Sequence, residues 1–366
     1  MPSPVDVSKP FKLSPSRAWR TYLGGKLLDE LTGEKGEDGH FPEEWMMSVV
    51  SARNAGRETW INEGLSFVVG TDPPVSLKSL IDGSPAELLG QSHAARFGGN
   101  PGVLVKLIDS AERLTVQVHP DRPTARALFH SDFGKTECWH ILGGRNVGGK
   151  APCVYLGFKP GVTREIWRSL FDSQNIPGML DCLHHFKAEP GDTFLIEGGV
   201  PHAIGAGCFL AEIQEPTDFT VRVERTTPSG FTLADSMCHQ GLGFDRMFDC
   251  FAYRGLSREK TAARWKIPAT TTREENGGRE IELIGSRNTD YFRLTELIVG
   301  GSFVLEERAA FSGLYVLSGQ GSIDVEGVVH AFSKGDQFFL PASLHDAVLR
   351  NTGDQPCRAL RFFGPK

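Results

Sequence analysis

Leu114-Thr115-Val116-Gln117-Val118-His119-Pro120 is the stretch whose reading decides the fold. Apolar and polar residues alternate along it, and in a strand residues two apart share a face. Thr115, Gln117 and His119 therefore point one way, while Leu114, Val116 and Val118 enter an apolar layer on the other side. A polar face turned into a protein needs a reason, because each buried polar group left unpaired costs on the order of 1–3 kcal/mol. A metal ion or a polar substrate supplies that reason. Two further segments extend the set: Gly134-Lys135-Thr136-Glu137-Cys138-Trp139 and Val200-Pro201-His202-Ala203-Ile204-Gly205. Together the three hold Gln117, His119, Glu137 and His202, mixed N and O ligands that suit a divalent metal such as zinc. Four protein ligands of this kind leave coordination positions open to water or substrate, as in catalytic sites.

The rest of the chain agrees with a mainly β architecture. Its 366 residues allow two domains and a large core, and 42 Gly and 22 Pro punctuate many short Val/Ile/Leu/Phe runs. A formal charge of −6 with no basic block argues against a nucleic-acid partner. Seven cysteines, an odd number without a CxxC pair, read as reduced thiols in a reducing compartment. Met1 to Ser16 lack the apolar run of a signal peptide, and no stretch of eighteen apolar residues exists. The expectation is a cytoplasmic protein without a membrane partner.

Strands are expected at Val49-Val50-Ser51, Leu104–Ile108, Thr193–Ile196 and Cys208–Gln214, and short helices at Leu77–Gly90 and Asp121–Leu128, the latter with Pro in its first turn. Thr163 to Phe186 is the longest amphipathic stretch and reads as a helical insertion, interrupted at Ile176-Pro177-Gly178. The polar run Ala269–Gly278 after Pro268 reads as a linker, and alternating strands follow it almost to Lys366. The division is a metal-bearing domain over 1–267, a linker over 268–280 and a smaller barrel over 281–366. An internal repeat supports it: Gly191-Asp192-Thr193-Phe194-Leu195-Ile196 is similar to Gly335-Asp336-Gln337-Phe338-Phe339-Leu340. In that alignment His202 falls opposite Asp346 and Pro201 opposite His345, so the second copy keeps the scaffold without the ligand in register.

Taken singly, a histidine near a Pro turn is more often a hydrogen-bonded structural residue than a ligand. The shared polar faces shift that balance, because Thr115 accompanies Gln117 and His119, and Lys135 accompanies Glu137. The same parity removes His140, which lies opposite Lys135, Glu137 and Trp139. His184 and His185 fall in the amphipathic stretch and read as surface residues. Gly144-Arg145-Asn146-Val147-Gly148-Gly149-Lys150 matches most of a P-loop, but Ala151 replaces the Ser/Thr and no helix signal follows. Glu212 and Gln214 share a strand face, as do Thr220 and Arg222.

Together these segments resemble the type I mannose-6-phosphate isomerases of the cupin superfamily. Gln117-Val118-His119-Pro120, Lys135-Thr136-Glu137 and Glu197-Gly198-Gly199-Val200-Pro201-His202-Ala203 match that family's zinc-site runs. Glu212-Ile213-Gln214 with Asp218-Phe219-Thr220-Val221-Arg222 matches a further one, and Glu43-Glu44-Trp45 is similar to its N-terminal E-x-W motif. The resemblance implies two cupin-type jelly-roll β-barrels with a few inserted helices. It also implies one zinc ion per chain on Gln117, His119, Glu137 and His202, with Arg222 as catalytic arginine. Lys106, Thr115, Lys135, Glu212 and Asp218 would line the substrate site, joined by Glu44. Two departures stand out. Leu23-Gly24-Gly25 replaces a W-G-G motif, losing an aromatic that flanks the sugar, and Val223-Glu224-Arg225-Thr226 replaces an aromatic-acidic run.

The implied reaction interconverts mannose 6-phosphate and fructose 6-phosphate through an enediol. Arg222 would offset the developing charge, with Glu212, Lys135 and a metal-bound water as candidate bases. Lys106, Lys135 and Arg225 are the cations available to a phosphate, Arg having the better geometry. The residues leave open the same chemistry on a free or different sugar, a non-catalytic sugar-sensing protein, and monomer against dimer.

Overall fold

The computed structural model describes residues 5–306, 309–345 and 347–366; Asp346, the repeat's counterpart of His202, lies outside them. Strands dominate, and among the described residues the strands of each sheet pair antiparallel. The first half of the chain forms two sheets. One has six strands in the order Arg17–Ala18, Glu43–Met46, Leu104–Asp109, Cys208–Gln214, Glu137–Gly144, Thr193–Ile196. The other has five, in the order Val221–Arg222, Gln117–Val118, His202–Ile204, Cys153–Phe158, Leu183–Lys187. The second half repeats the plan with a seven-stranded and a four-stranded sheet. These are jelly-roll layers of the cupin type, as the resemblance implied.

The six-stranded sheet is buried on both faces, which shapes everything about the site. Val105, Leu107, Ala211 and Ile213 face a seam, where they pack with Leu294, Tyr315, Phe339, Leu360 and Phe362 of the seven-stranded sheet and with Phe311 just before it. The alternate residues of the same strands, Lys106 and Glu212, face the interior between the six- and five-stranded sheets. On the five-stranded sheet, Val116 and Val118 turn outward into an apolar cluster with Phe158, Trp167 and Phe171. Helices Arg164–Asp172 and Ile176–Asp181 cover that cluster, capped by the side chains of Thr163 and Asn175.

Several expectations are corrected. Thr270–Glu275 is not a linker but a strand, paired with Gly278–Ile284 across Asn276-Gly277. Both turn residues have positive φ, 47° and 77°, the geometry of the tight turns that join strands. The run is polar because it forms an exposed sheet edge, and the Asn-Gly pair was the overlooked signal. Phe11–Leu13, assigned to the first domain, pairs with Gln337–Leu340 and belongs to the seven-stranded sheet. The helical insertion ends at Asp181, and Leu183–Lys187 is a strand. His184 is buried there, its Nε2 2.8 Å from the Leu256 carbonyl, while His185 is exposed. Val49–Ser51 is irregular, the strand lying at Glu43–Met46. Leu77–Gly90 divides at Ser84-Pro85 into two helices, and Asp121 caps a helix over Arg122–Phe129. Among the described residues, no helix is long and apolar enough to cross a membrane.

Candidate metal centre and substrate cleft

Strand pairing brings the three distant segments together. His202 sits opposite Gln117 in register, Gln117 opposite Arg222, and Gln214 opposite Glu137. His119 Nδ1–H donates to the Phe219 carbonyl at 2.7 Å, and His202 Nδ1–H donates to the Val200 carbonyl at 2.8 Å. Each imidazole is thereby held as the tautomer whose Nε2 carries a lone pair. Those two Nε2 atoms converge to 3.2 Å. Glu137 Oε2 lies 3.1 Å from His119 Nε2, and Oε1 lies 3.5 Å from His202 Nε2. The Gln117 amide reaches to 3.3 Å of His202 Nε2, and a half-turn of that amide presents its oxygen instead.

The group has the electrostatics of a cation site. Burial pushes His119 down to about 4, with the Lys135 ammonium adding to the effect, and burial lowers His202 as well. Both rings are neutral near pH 7, as metal ligands must be. Burial alone would raise the Glu137 carboxyl, but Lys135 and the two histidines outweigh it and hold the group well below the usual range. Glu137 Oε1 is buried without a hydrogen-bond partner, and two facing lone pairs repel unless something positive lies near. Lys135 Nζ approaches this cluster, 2.7 Å from His119 Nε2 and 2.8 Å from Glu137 Oε2. His119, Glu137 and His202, with ligand atoms within 4.8 Å of one another, therefore form a candidate metal site that also fits Gln117.

A charged cleft of about 580 Å³, counting its open mouth, adjoins the cluster. Lys106 Nζ is 3.0 Å from Glu212 Oε1 and 3.7 Å from Glu43 Oε2. Trp139 Nε1 donates to Glu212 at 3.0 Å, and Trp45 Nε1 and the Tyr22 hydroxyl donate to Glu43 at 2.7 and 2.8 Å. Burial opposes ionisation of Glu43, yet Arg20 and Lys106 lower it to about 2. Thr115, Asp218 and Arg222 complete the wall. Arg222 donates to the carbonyls of Thr220 at 3.2 Å and Met237 at 2.8 Å.

Of the residues singled out from sequence, Lys106, Thr115, Gln117, Lys135, Glu212, Asp218 and Arg222 line this cleft, with His119, Glu137 and His202 beside it. Two do not. Glu44 points to the seam side of its strand, where Arg17 Nε meets it at 3.2 Å, because Glu43 and Trp45 occupy the inward parity. Arg225 is exposed and stacks on Phe244 and Phe171, its guanidinium 4.4 and 5.4 Å from the ring centroids. Leu23 also lies outside the cleft, whose aromatic wall is the neighbouring Tyr22. Arg20, Tyr22, Glu43 and Asn54 were missed. Of these only Glu43 carried a signal, its place two residues before Trp45. His140, set aside by parity, bonds Thr193 Oγ1 at 3.0 Å away from the cluster. A larger polar cavity of about 1230 Å³, counted the same way with its open mouth, lies near Trp265 and Tyr291 and holds no converging histidines, so the chemistry points to the cleft.

The cupin-domain family model matches residues 296–363. A Bacillus subtilis protein named "Probable mannose-6-phosphate isomerase GmuF" is 28% identical over 277 residues, 74% of this chain and 80% of the relative. The crystal structure of mannose 6-phosphate isomerase from Bacillus subtilis superposes with a TM-score of 0.74 at 22% identity, covering 97% of this chain and 99% of that one. A zinc-bound mannose 6-phosphate isomerase superposes with a TM-score of 0.71 at 14% identity, covering 98% and 100%. Sequence likeness over most of the chain, joined to a common fold along nearly all of it, makes this protein similar to the mannose-6-phosphate isomerases and gives it their cupin-type fold.

Proposed function

We propose that the chain is a zinc-dependent aldose–ketose isomerase that interconverts mannose 6-phosphate and fructose 6-phosphate. The observation that carries this reading is the charge balance where the His–Glu–His cluster meets the cleft. Arg20, Lys106, Lys135 and Arg222 are matched by Glu43, Glu137, Glu212 and Asp218. A divalent ion adds two positive charges to this neutral set, and a phosphate monoester carries about −1.5 to −2 at pH 7. The names and the zinc of the relatives point the same way.

Isomerisation takes a proton from C2 of the aldose and returns one to C1, with a proton passing between O2 and O1. Gln117, His119, Glu137 and His202 would hold zinc, which supplies Lewis-acid stabilisation to the substrate's oxygens when bound. Glu212 and Lys135 are the groups in the cleft placed to hold the proton in transit. Among the described residues Arg222 bonds backbone carbonyls and makes no direct ion pair, with Asp218 acting on it from farther off, so its guanidinium would be available to the enediolate. Lys106, Thr115 and Asp218 would bind the sugar.

The test is metal analysis of the purified protein beside an assay for fructose 6-phosphate formed from mannose 6-phosphate. Turnover that is lost on chelation and restored by zinc is expected. Equal rates on free mannose would point to another sugar, and binding of mannose 6-phosphate by zinc-replete protein without turnover would sink the enzymatic reading.

A further inference from the structure

Arg20 is 6% exposed in the wall of the cleft, with its guanidinium 5.0 Å from the centroid of the Trp45 ring. Its Nε is 2.9 Å from Glu43 Oε2. Its two terminal nitrogens reach the two oxygens of Asp218 at 3.3 and 3.4 Å, a fork that a lysine has no means of reproducing. Beyond Glu43 the charges continue to alternate: Lys106 stands between Glu43 at 3.7 Å and Glu212 at 3.0 Å, on the Glu212 side. Glu43 leaves Lys106 there because Arg20, Trp45 and Tyr22 already satisfy its two oxygens.

We propose that Arg20 is a positioning residue that fixes Glu43 and Asp218 in the wall of the cleft and so keeps Lys106 on Glu212. Its kinetic consequence rests on the isomerase reading above. Without Arg20, Glu43 is a buried carboxylate with Lys106 as its one neighbouring cation, and the ammonium is drawn away from Glu212. Asp218 loses its fork and keeps only the Arg53 backbone N–H, at 3.4 Å from one oxygen. Neutralising Glu43 in the same molecule removes the pull on Lys106 and undoes the first effect. The sign of a Glu43 substitution therefore depends on whether Arg20 is present.

The experiment compares zinc-loaded wild type, Arg20→Gln, Glu43→Gln and the double variant for kcat, KM, metal content and thermal midpoint. Arg20→Gln is expected to keep its metal, lower kcat at least tenfold and raise KM. Glu43→Gln should lower the midpoint in the wild-type background and raise it in the Arg20→Gln background, where it also restores kcat at least threefold. The proposal is overturned if Arg20→Gln stays within twofold of wild type in kcat and KM, or if Glu43→Gln has the same sign in both backgrounds. Should Arg20→Gln not fold, Arg20→Lys takes its place: a several-fold rise in KM with kcat within threefold supports the role, and an unchanged KM overturns it. A wild-type protein that converts no mannose 6-phosphate ends the isomerase reading, yet the reversal of sign in the midpoint still decides the role of Arg20.

Discussion

Glu137 is a carboxylate with no access to solvent, held ionised against burial chiefly by the Lys135 ammonium, and one of its oxygens has no protein partner. Glu137→Gln keeps the shape and removes the charge. Its metal affinity should fall by at least about 100-fold, more than the loss typical of a residue behind the ligands. Dialysis followed by metal analysis measures it. Arg222 differs, since it touches backbone carbonyls and faces the cleft rather than the histidines. Arg222→Ala should retain metal while kcat drops by about 10²–10³, the usual scale for losing one preorganised charge. Glu43 gives a prediction in pH. Its folded-state value of about 2 lies below the ordinary 4.5, so its stabilisation is fully present above 4.5 and is lost as pH falls toward 2. Glu43→Gln should therefore be less stable than wild type at pH 7, by about 3 kcal/mol for a broken buried pair, and the gap should close between pH 4.5 and 2. Denaturant unfolding across that range checks it.

At the scale of elements, two-residue periodicity accounts for most of what the strands do. It separates Gln117 and His119 from Val116 and Val118, and it sends Lys106 inward between Val105 and Leu107. The hairpin at Asn276-Gly277 shows turn chemistry overriding composition. A run of threonines, arginine and glutamates has little apolar surface to bury, yet the turn folds it back onto Gly278–Ile284. Gly277 has φ of 77° and ordinary space around its missing Cβ, so the cost of a side chain is backbone strain alone. Gly277→Ala should lower stability by about 1–2 kcal/mol without affecting turnover, measured by urea unfolding and the isomerase assay.

At the scale of the whole molecule, the seam between the six- and seven-stranded sheets is one continuous apolar layer. It backs the same strands that carry Lys106, Glu137 and Glu212, so the site is held from behind by the second half of the chain. Phe339 is fully buried in that layer, stacked between Phe11 at 5.3 Å and Phe311 at 5.9 Å. Phe339→Ala should cost about 3–5 kcal/mol. Because the layer is shared, calorimetry should show both halves unfolding together in one transition; two separate transitions would contradict a shared core.

The candidate ligand cluster and the strand nature of its carriers were legible in the chain itself, because side-chain alternation and turn residues are local properties. Gln117, His119, Glu137 and His202 are singled out by parity and motif spacing without a structure, and the fold brings them together. The choice between Glu43 and Glu44 was not open to the same reasoning. Both are buried, at 4% and 1% exposure, since their strand belongs to a sheet covered on both faces. Burial then fails to mark the inward side, and only neighbouring strands do so, Lys106 against one carboxylate and Arg17 against the other. The same holds for Arg20, whose partner Asp218 is 198 residues away in the chain. Local periodicity determines which side chains share a face. Which face becomes the cleft, and which distant charges meet there, is decided by how the sheets stack.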